Sequence, residues 1–188
     1  MKRIVLFASG SGSNVENISQ YFQDNAEVTI AAVLTNKSNA KVLERCNKLK
    51  ISALYFNKTA FYETDCILDF LKTCNPDLII LAGFLWKIPD NMIKTFPNKI
   101  VNIHPALLPK YGGKGMYGMH VHNAIKQNKE KETGITIHFV NENYDEGGII
   151  KQIKTKITPE DSVEDIAKKV HQLEYEYFPK VIDALLHE

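Results

Sequence analysis

Cysteine is scarce in this 188-residue chain: Cys46, Cys66 and Cys74 form no Cys-x-x-Cys pair, which argues against a disulfide framework or a paired-cysteine zinc site. An odd number of thiols in a reducing compartment suggests buried or idle groups. An excess of one charge is also missing, since 23 Lys+Arg stand against 22 Asp+Glu for a net +1. The total therefore implies no nucleic-acid-binding surface, and any anion site must be local. No apolar run approaches the length of a membrane span, so membrane classes are excluded. The start, MKRIVLF, runs at once into Ser, Gly and Asn, without the roughly 7–15-residue apolar stretch of a signal peptide, and a cytoplasmic protein is expected. Repeats, low-complexity tracts and linkers are absent. A hydrophobic content of 44% and a length that buries roughly 70% of the extended chain's surface fit one domain over residues 1–188.

What is present is an alternation. Lys2–Ala8 is a short apolar run that ends in Ser9-Gly10-Ser11-Gly12-Ser13-Asn14, after which an amphipathic stretch begins: strand, loop, helix. Val28–Leu34 and Ala53–Phe56 read as strands, and Ala40–Lys48 and Phe61–Thr73 as helices. Consecutive Leu-Ile-Ile-Leu within Asp77–Ala82 suits a strand buried on both faces. The pattern predicts an α/β fold with a Rossmann-like, mostly parallel sheet flanked by helices. Further on, Ile100–His104 is a short strand, Pro105–Gly118 a loop and His120–Lys126 a helix. Thr133–Val140 and Ile149–Ile157 form an antiparallel pair. Thr158 as cap and Pro159 at the first helical position start a long C-terminal helix, which Pro179 should kink or end.

Gly10–Asn14 lies where the first strand hands over to its helix, a usual ligand position in such sheets. Small residues let the backbone approach an anion, and the helix N-terminus adds free N–H groups and a favourable dipole. The competing reading is a plain turn, with Ser13-Asn14-Val15-Glu16 as a capping box. Val15 replaces the third glycine of a dinucleotide fingerprint, and no Gly-Lys-Ser/Thr ending is present, so neither a nicotinamide nor an ATP site is implied.

Asn102 and His104 alternate onto one face at the end of a strand. A neutral amide beside a histidine, whose unperturbed pKa is about 6.5, can stabilise an oxyanion; alternatively both satisfy loop backbone. Asp145, in Asn143-Tyr144-Asp145-Glu146-Gly147-Gly148, either serves its own turn or faces His104 and raises the histidine's pKa. His120-Val121-His122 lacks a nearby cysteine or carboxylate to complete a zinc spacing, and no metal is expected. His138 follows an alternating strand and stays open between solvent and site, while His187 reads as a solvated tail residue.

The loop Ser9–Asn14, Leu81-Ala82-Gly83-Phe84, the stretch Val101-Asn102-Ile103-His104-Pro105-Ala106-Leu107-Leu108-Pro109-Lys110-Tyr111, and His138 with Asp145-Glu146-Gly147-Gly148 resemble the folate-dependent glycinamide ribonucleotide formyltransferases, from residue 1 to about residue 180. The resemblance implies catalysis by Asn102, His104 and Asp145, with 10-formyltetrahydrofolate as co-substrate. It implies phosphate binding by Gly12, Ser13 and Asn14 and ribose binding by Glu174, with His171 one helical turn away facing the same pocket. The folate would lie along Phe84, Leu85, Trp86, Lys87 and Ile88 and along Val140, Asn141 and Asp145. Here the chain departs from the Phe-Met-Arg-Ile-Leu common in the family. A second departure is Gly112–Gly118, longer than the usual turn and read as a mobile loop near the substrate entrance. The implied division is a phosphate-binding half over about residues 1–100 and a catalytic, folate-binding half over about 101–188. Partners are small-molecule substrates for a monomer or homodimer, with no nucleic acid or membrane. An amino-sugar nucleotide as acceptor is the alternative; an aminoacyl-tRNA acceptor is disfavoured, because the length leaves no room for a separate RNA-binding domain.

Overall fold

The computed structural model describes residues 1–187. Seven strands form one sheet in the order β3-β2-β1-β4-β5-β6-β7, and the chain divides into two compact units. The first comprises Met1–Val101 with the chain's end from Asp183. It contains β1 (Lys2–Phe7), α1 (Ser13–Phe22), β2 (Val28–Thr35), α2 (Lys41–Leu49), β3 (Ala53–Tyr55), α3 (Cys66–Cys74), β4 (Leu78–Leu81), α4 (Asp90–Thr95) and the start of β5 (Ile100–His104). β1 runs parallel to β2 and β4, and β2 parallel to β3. The Leu-Ile-Ile-Leu of β4 is buried throughout, as expected of a strand covered on both faces. Ile4, Leu6, Phe7, Ile79 and Ile80 are each fully buried, worth roughly 1.5–3 kcal/mol apiece before entropy is counted.

The helix expected over Phe61–Thr73 is divided. A π-helical turn covers Thr59–Glu63, Thr64 is extended, and α3 begins only at Cys66. Local side-chain bonds cause the break: Asn57 Oδ1 accepts the Ala60 N–H at 2.9 Å and Thr64 Oγ1 accepts the Cys66 N–H at 3.4 Å, each offering the backbone a partner outside a continuous helix. The turn also points Phe61 into an aromatic cluster with Phe7, Phe56 and Phe84. The short α4 following Pro89 was not apparent from the apolar pattern.

The second unit, Asn102–Ile182, holds the end of β5, α5 (Met119–Gln127), β6 (Glu132–Phe139), β7 (Ile149–Lys156) and most of α6 (Val163–His187). β6 and β7 are antiparallel, and their register slips between Ile137 and His138. The long helix starts at Val163, four residues past the expected first helical position. Asp161 Oδ2 takes the Thr158 N–H at 2.7 Å and ties that segment into a turn. The cap is Ser162, whose Oγ accepts the Asp165 N–H at 3.1 Å while Asp165 Oδ2 accepts the Ser162 N–H at 3.1 Å, a reciprocal capping box. Pro179 does not end the helix, which continues to His187.

Candidate active site

In the first unit, the loop after β1 is shaped by close packing. Gly12 has φ 74°, and a Cβ there would lie 2.4 Å from Val42 Cγ2, so glycine is needed both for the left-handed turn and for the approach of α2. Val42 donates its N–H to the Gly10 carbonyl at 3.2 Å. The capping box read from Ser13 and Glu16 does not form: Gly12, with no side chain to offer, is the cap residue. Glu16 turns instead to Arg45, whose Nη1 pairs with its carboxylate and whose Nε donates to the Ser11 carbonyl at 2.8 Å. The loop is thereby clamped from outside, and the first N–H of the helix, that of Ser13, donates to Ser11 Oγ at 3.4 Å. Arg45 was not singled out from the sequence; its partners lie 34 and 29 residues away, and no local pattern signals it.

In the second unit, His104, His138 and Asp145 come together. Asp145 Oδ2 lies 3.6 Å from His104 Nδ1, and its Oδ1 lies 3.6 Å from His138 Nε2. Asn102 Nδ2 is 3.1 Å from His138 Nε2, and His138 Nδ1 is 2.8 Å from the Phe139 carbonyl. Because a carbonyl only accepts, His138 carries a proton on Nδ1, and its Nε2 faces both the Asn102 amide and Asp145 Oδ1. At most one amide hydrogen of Asn102 is engaged there, and the other remains for a substrate. His104 Nε2 donates to the Tyr111 carbonyl at 2.7 Å by the same reasoning, leaving Nδ1 as the atom that gains or loses a proton opposite Asp145. The Gly113 N–H donates to Asp145 Oδ2 at 2.9 Å. Tyr111 and Gly113 had no sequence signal for these roles, because they act through backbone atoms. Gly147 lets the Asp145 turn fold back on β6, since a Cβ there would lie 1.7 Å from the Phe139 carbonyl oxygen.

Asp145 acts to raise His104 as expected, but the net direction is downward. Burial pushes the His104 imidazole below its ordinary value, outweighing the opposing pull of Asp145 and the Tyr111 carbonyl, while His138 adds to the downward push. Burial works to raise the Asp145 carboxyl, yet His138, His104 and the Gly113 N–H together hold it below the usual carboxylate range. The resting site thus favours an anionic aspartate and a histidine that takes a proton when further negative charge appears beside it.

His122 is 2% exposed with Nδ1 unpartnered, and burial, then His171, then His104 push it down to about 4. His171 is exposed, set edge-on to His122 and stacked on Tyr175. Glu174 is buried. Of the residues read as a folate surface, Phe84 is buried in the aromatic cluster, Trp86 packs on Phe56, Phe61 and Tyr62, and Ile88 belongs to the core. Leu85 is 41% exposed and donates its N–H to Ser9 Oγ at 3.0 Å. Lys87 lies 3.9 Å from Asp90. In the other unit Val140 and Asn141 are half-buried, and Asn141 Oδ1 accepts the Asn143 N–H at 3.0 Å. Among the described residues, no group of three or more His, Cys, Asp or Glu side chains is arranged to hold a metal.

The chain is 36% identical to phosphoribosylglycinamide formyltransferase of Bacillus subtilis, over 99% of this chain and 95% of that protein. It is also 36% identical to the chloroplastic phosphoribosylglycinamide formyltransferase of Arabidopsis thaliana, but spans only 66% of that longer protein. Its fold matches the crystal structure of glycinamide ribonucleotide transformylase 1 from Geobacillus kaustophilus with a TM-score of 0.89 and 33% identity, covering 99% of both chains. The formyl transferase family model matches residues 2–182; with this near-complete span, and the Asn102, His104 and Asp145 cluster in its second unit, the chain belongs to the formyl transferase family.

Proposed function

We propose that this protein transfers the formyl group of 10-formyltetrahydrofolate to the primary amine of glycinamide ribonucleotide, giving formylglycinamide ribonucleotide and tetrahydrofolate in purine synthesis. The observation that carries the reading is Asp145 facing both His138, which Asn102 touches, and His104, whose Nε2 is committed to a carbonyl and whose Nδ1 is not. Near-full-length identity to enzymes of that name supports the choice of acceptor. Both substrates are small molecules, and the reaction calls for neither nucleic acid nor membrane.

Attack of the amine on the formyl carbon makes the formyl oxygen negative. Asn102 Nδ2–H and His104 Nδ1–H are the two donors for that oxygen, and each such donor is worth roughly a hundredfold or more in rate. His104 is poised to be protonated late, because burial disfavours its charge until the oxyanion joins Asp145 in favouring it. The proton lost by the attacking nitrogen passes to the departing folate nitrogen through His104 Nδ1 or through water beside Asp145. In the first unit, the loop Gly12, Ser13 and Asn14 would hold the substrate phosphate on the N-terminus of α1. Glu174, with His171 on the same helix, would address the ribose. In the second unit, the Val140–Asp145 loop would meet the pterin, with half-buried Val140 as apolar surface.

The test supplies 10-formyltetrahydrofolate with glycinamide ribonucleotide or with an amino-sugar nucleotide and follows tetrahydrofolate release. Release with the first acceptor alone is expected; release with the amino sugar alone refutes the reading. Asn102→Ala and His104→Ala should each lower kcat by about a hundredfold or more while substrate binding, followed by titration, changes little.

A further inference from the structure

We propose that Tyr111 is the positioning residue of His104: its carbonyl fixes which ring nitrogen carries the standing proton, and its phenol, anchored on Glu130 and Asn128, holds that carbonyl in place. The carbonyl lies 2.7 Å from His104 Nε2. It belongs to a backbone at φ 59°, in the left-handed region that a bulky residue seldom occupies unless its surroundings hold it there. The side chain of the same residue supplies the hold. Tyr111 Oη donates to Glu130 Oε1 at 2.9 Å and accepts from Asn128 Nδ2 at 2.9 Å, and Lys110 Nζ donates to the same Glu130 oxygen at 3.0 Å.

Those partners are themselves held by the end of α5, where the Asn128 N–H donates to Ala124 and the Glu130 N–H to Ile125. α5 in turn packs Val121 and Ile125 into a core cluster with Ala106, against which Tyr111 also lies. Rigidity therefore passes from the α5 terminus through the phenol and the carbonyl to the imidazole. Were the carbonyl to swing away, His104 could place its proton on either nitrogen, and the Nδ1–H tautomer would leave no proton-accepting lone pair toward Asp145. This logic is that of an orienting group behind a catalytic base, with a main-chain oxygen in the place of a carboxylate.

The proposal rests on the formyl-transfer reading for its rate measurement, and so the test pairs kinetics with a readout that needs no turnover. In the wild-type protein labelled with 15N-histidine, ring-nitrogen shifts should show neutral His104 protonated at Nε2. Tyr111→Phe keeps the ring and removes the anchor; Glu130→Ala removes its acceptor from the other side. Each should give a mixture of tautomers and a kcat lower by about tenfold, with both KM values within about twofold of wild type. Glu130→Gln, which keeps a carbonyl acceptor, should recover most of the rate. Because the two residues act as one unit, the Tyr111→Phe/Glu130→Ala double variant should be no slower than Tyr111→Phe. Unaltered ring-nitrogen shifts in both single variants, or losses that multiply in the double variant, overturn the proposal. If wild type forms no tetrahydrofolate with glycinamide ribonucleotide, the functional reading fails, and the tautomer measurement still decides the anchor.

Discussion

Asp145 stands in the left-handed backbone region at φ 56°, which aspartate tolerates better than most residues. From there its two carboxylate oxygens face His104 and His138 separately. Asp145→Asn keeps the shape and removes the charge, so the anion that offsets the burial of His104 is lost. A kcat lower by about a hundredfold with near-normal binding is expected from steady-state kinetics. Gly12→Ala tests the other unit: its Cβ would meet Val42 in a left-handed turn. The acceptor's KM should rise severalfold, with a loss of about 1–3 kcal/mol in urea unfolding. Much of this chemistry was legible residue by residue, because alternation put Asn102 and His104 on one face and the Gly/Ser loop has its own backbone logic. The Tyr111 carbonyl, the Gly113 N–H and the Arg45 clamp were not legible. Two are main-chain groups that every residue type carries, and the third meets partners remote in sequence.

Among the elements, helix boundaries were the least legible part of the fold. Thr158-Pro159 has the composition of a helix start, yet Ser162 and Asp165 form the working box, since a reciprocal pair satisfies two N–H groups where a lone cap satisfies one. Ser162→Ala should therefore cost about 1 kcal/mol in chemical unfolding, and Thr158→Ala much less. The same competition from Asn57 and Thr64 splits what periodicity alone joins over Phe61–Thr73. Strands fared better: β4, β6 and β7 form where Leu-Ile-Ile-Leu and the alternating pair after Lys131 indicate, although β6 is buried on both faces from Thr133 to His138 rather than on one.

For the molecule as a whole, buried histidines set the response to acid. His122 sits at about 4 in the fold against about 6.5 unfolded, so the fold prefers it neutral. The stability it contributes is complete above the unfolded value and is lost as pH falls toward the folded one. The loss should reach about 2.5 kcal/mol by pH ~4.5. His104, also lowered, acts with the same sign over its own window below about 6.5. Asp145, lowered as well, contributes fully above the ordinary carboxylate value and loses that contribution as pH falls from there through its lowered one. Urea unfolding should therefore show a lower midpoint at pH ~4.5 than at pH ~7, and His122→Gln should remove the largest part of that difference; an equal difference in the variant would assign it to other groups.

The sequence by itself determined the alternation of strands and helices, the loop after β1 and the two-residue spacing of Asn102 and His104 on β5. Periodicity, glycine content and short spacing act between neighbours and survive without knowledge of the surroundings. Tertiary structure alone decided the direction of the His104 shift, the nitrogen that holds its proton, and the burial of Glu174, Phe84 and Ile88. Each of these depends on how much water is excluded and which distant atom stands opposite, and such quantities arise only when the chain closes on itself.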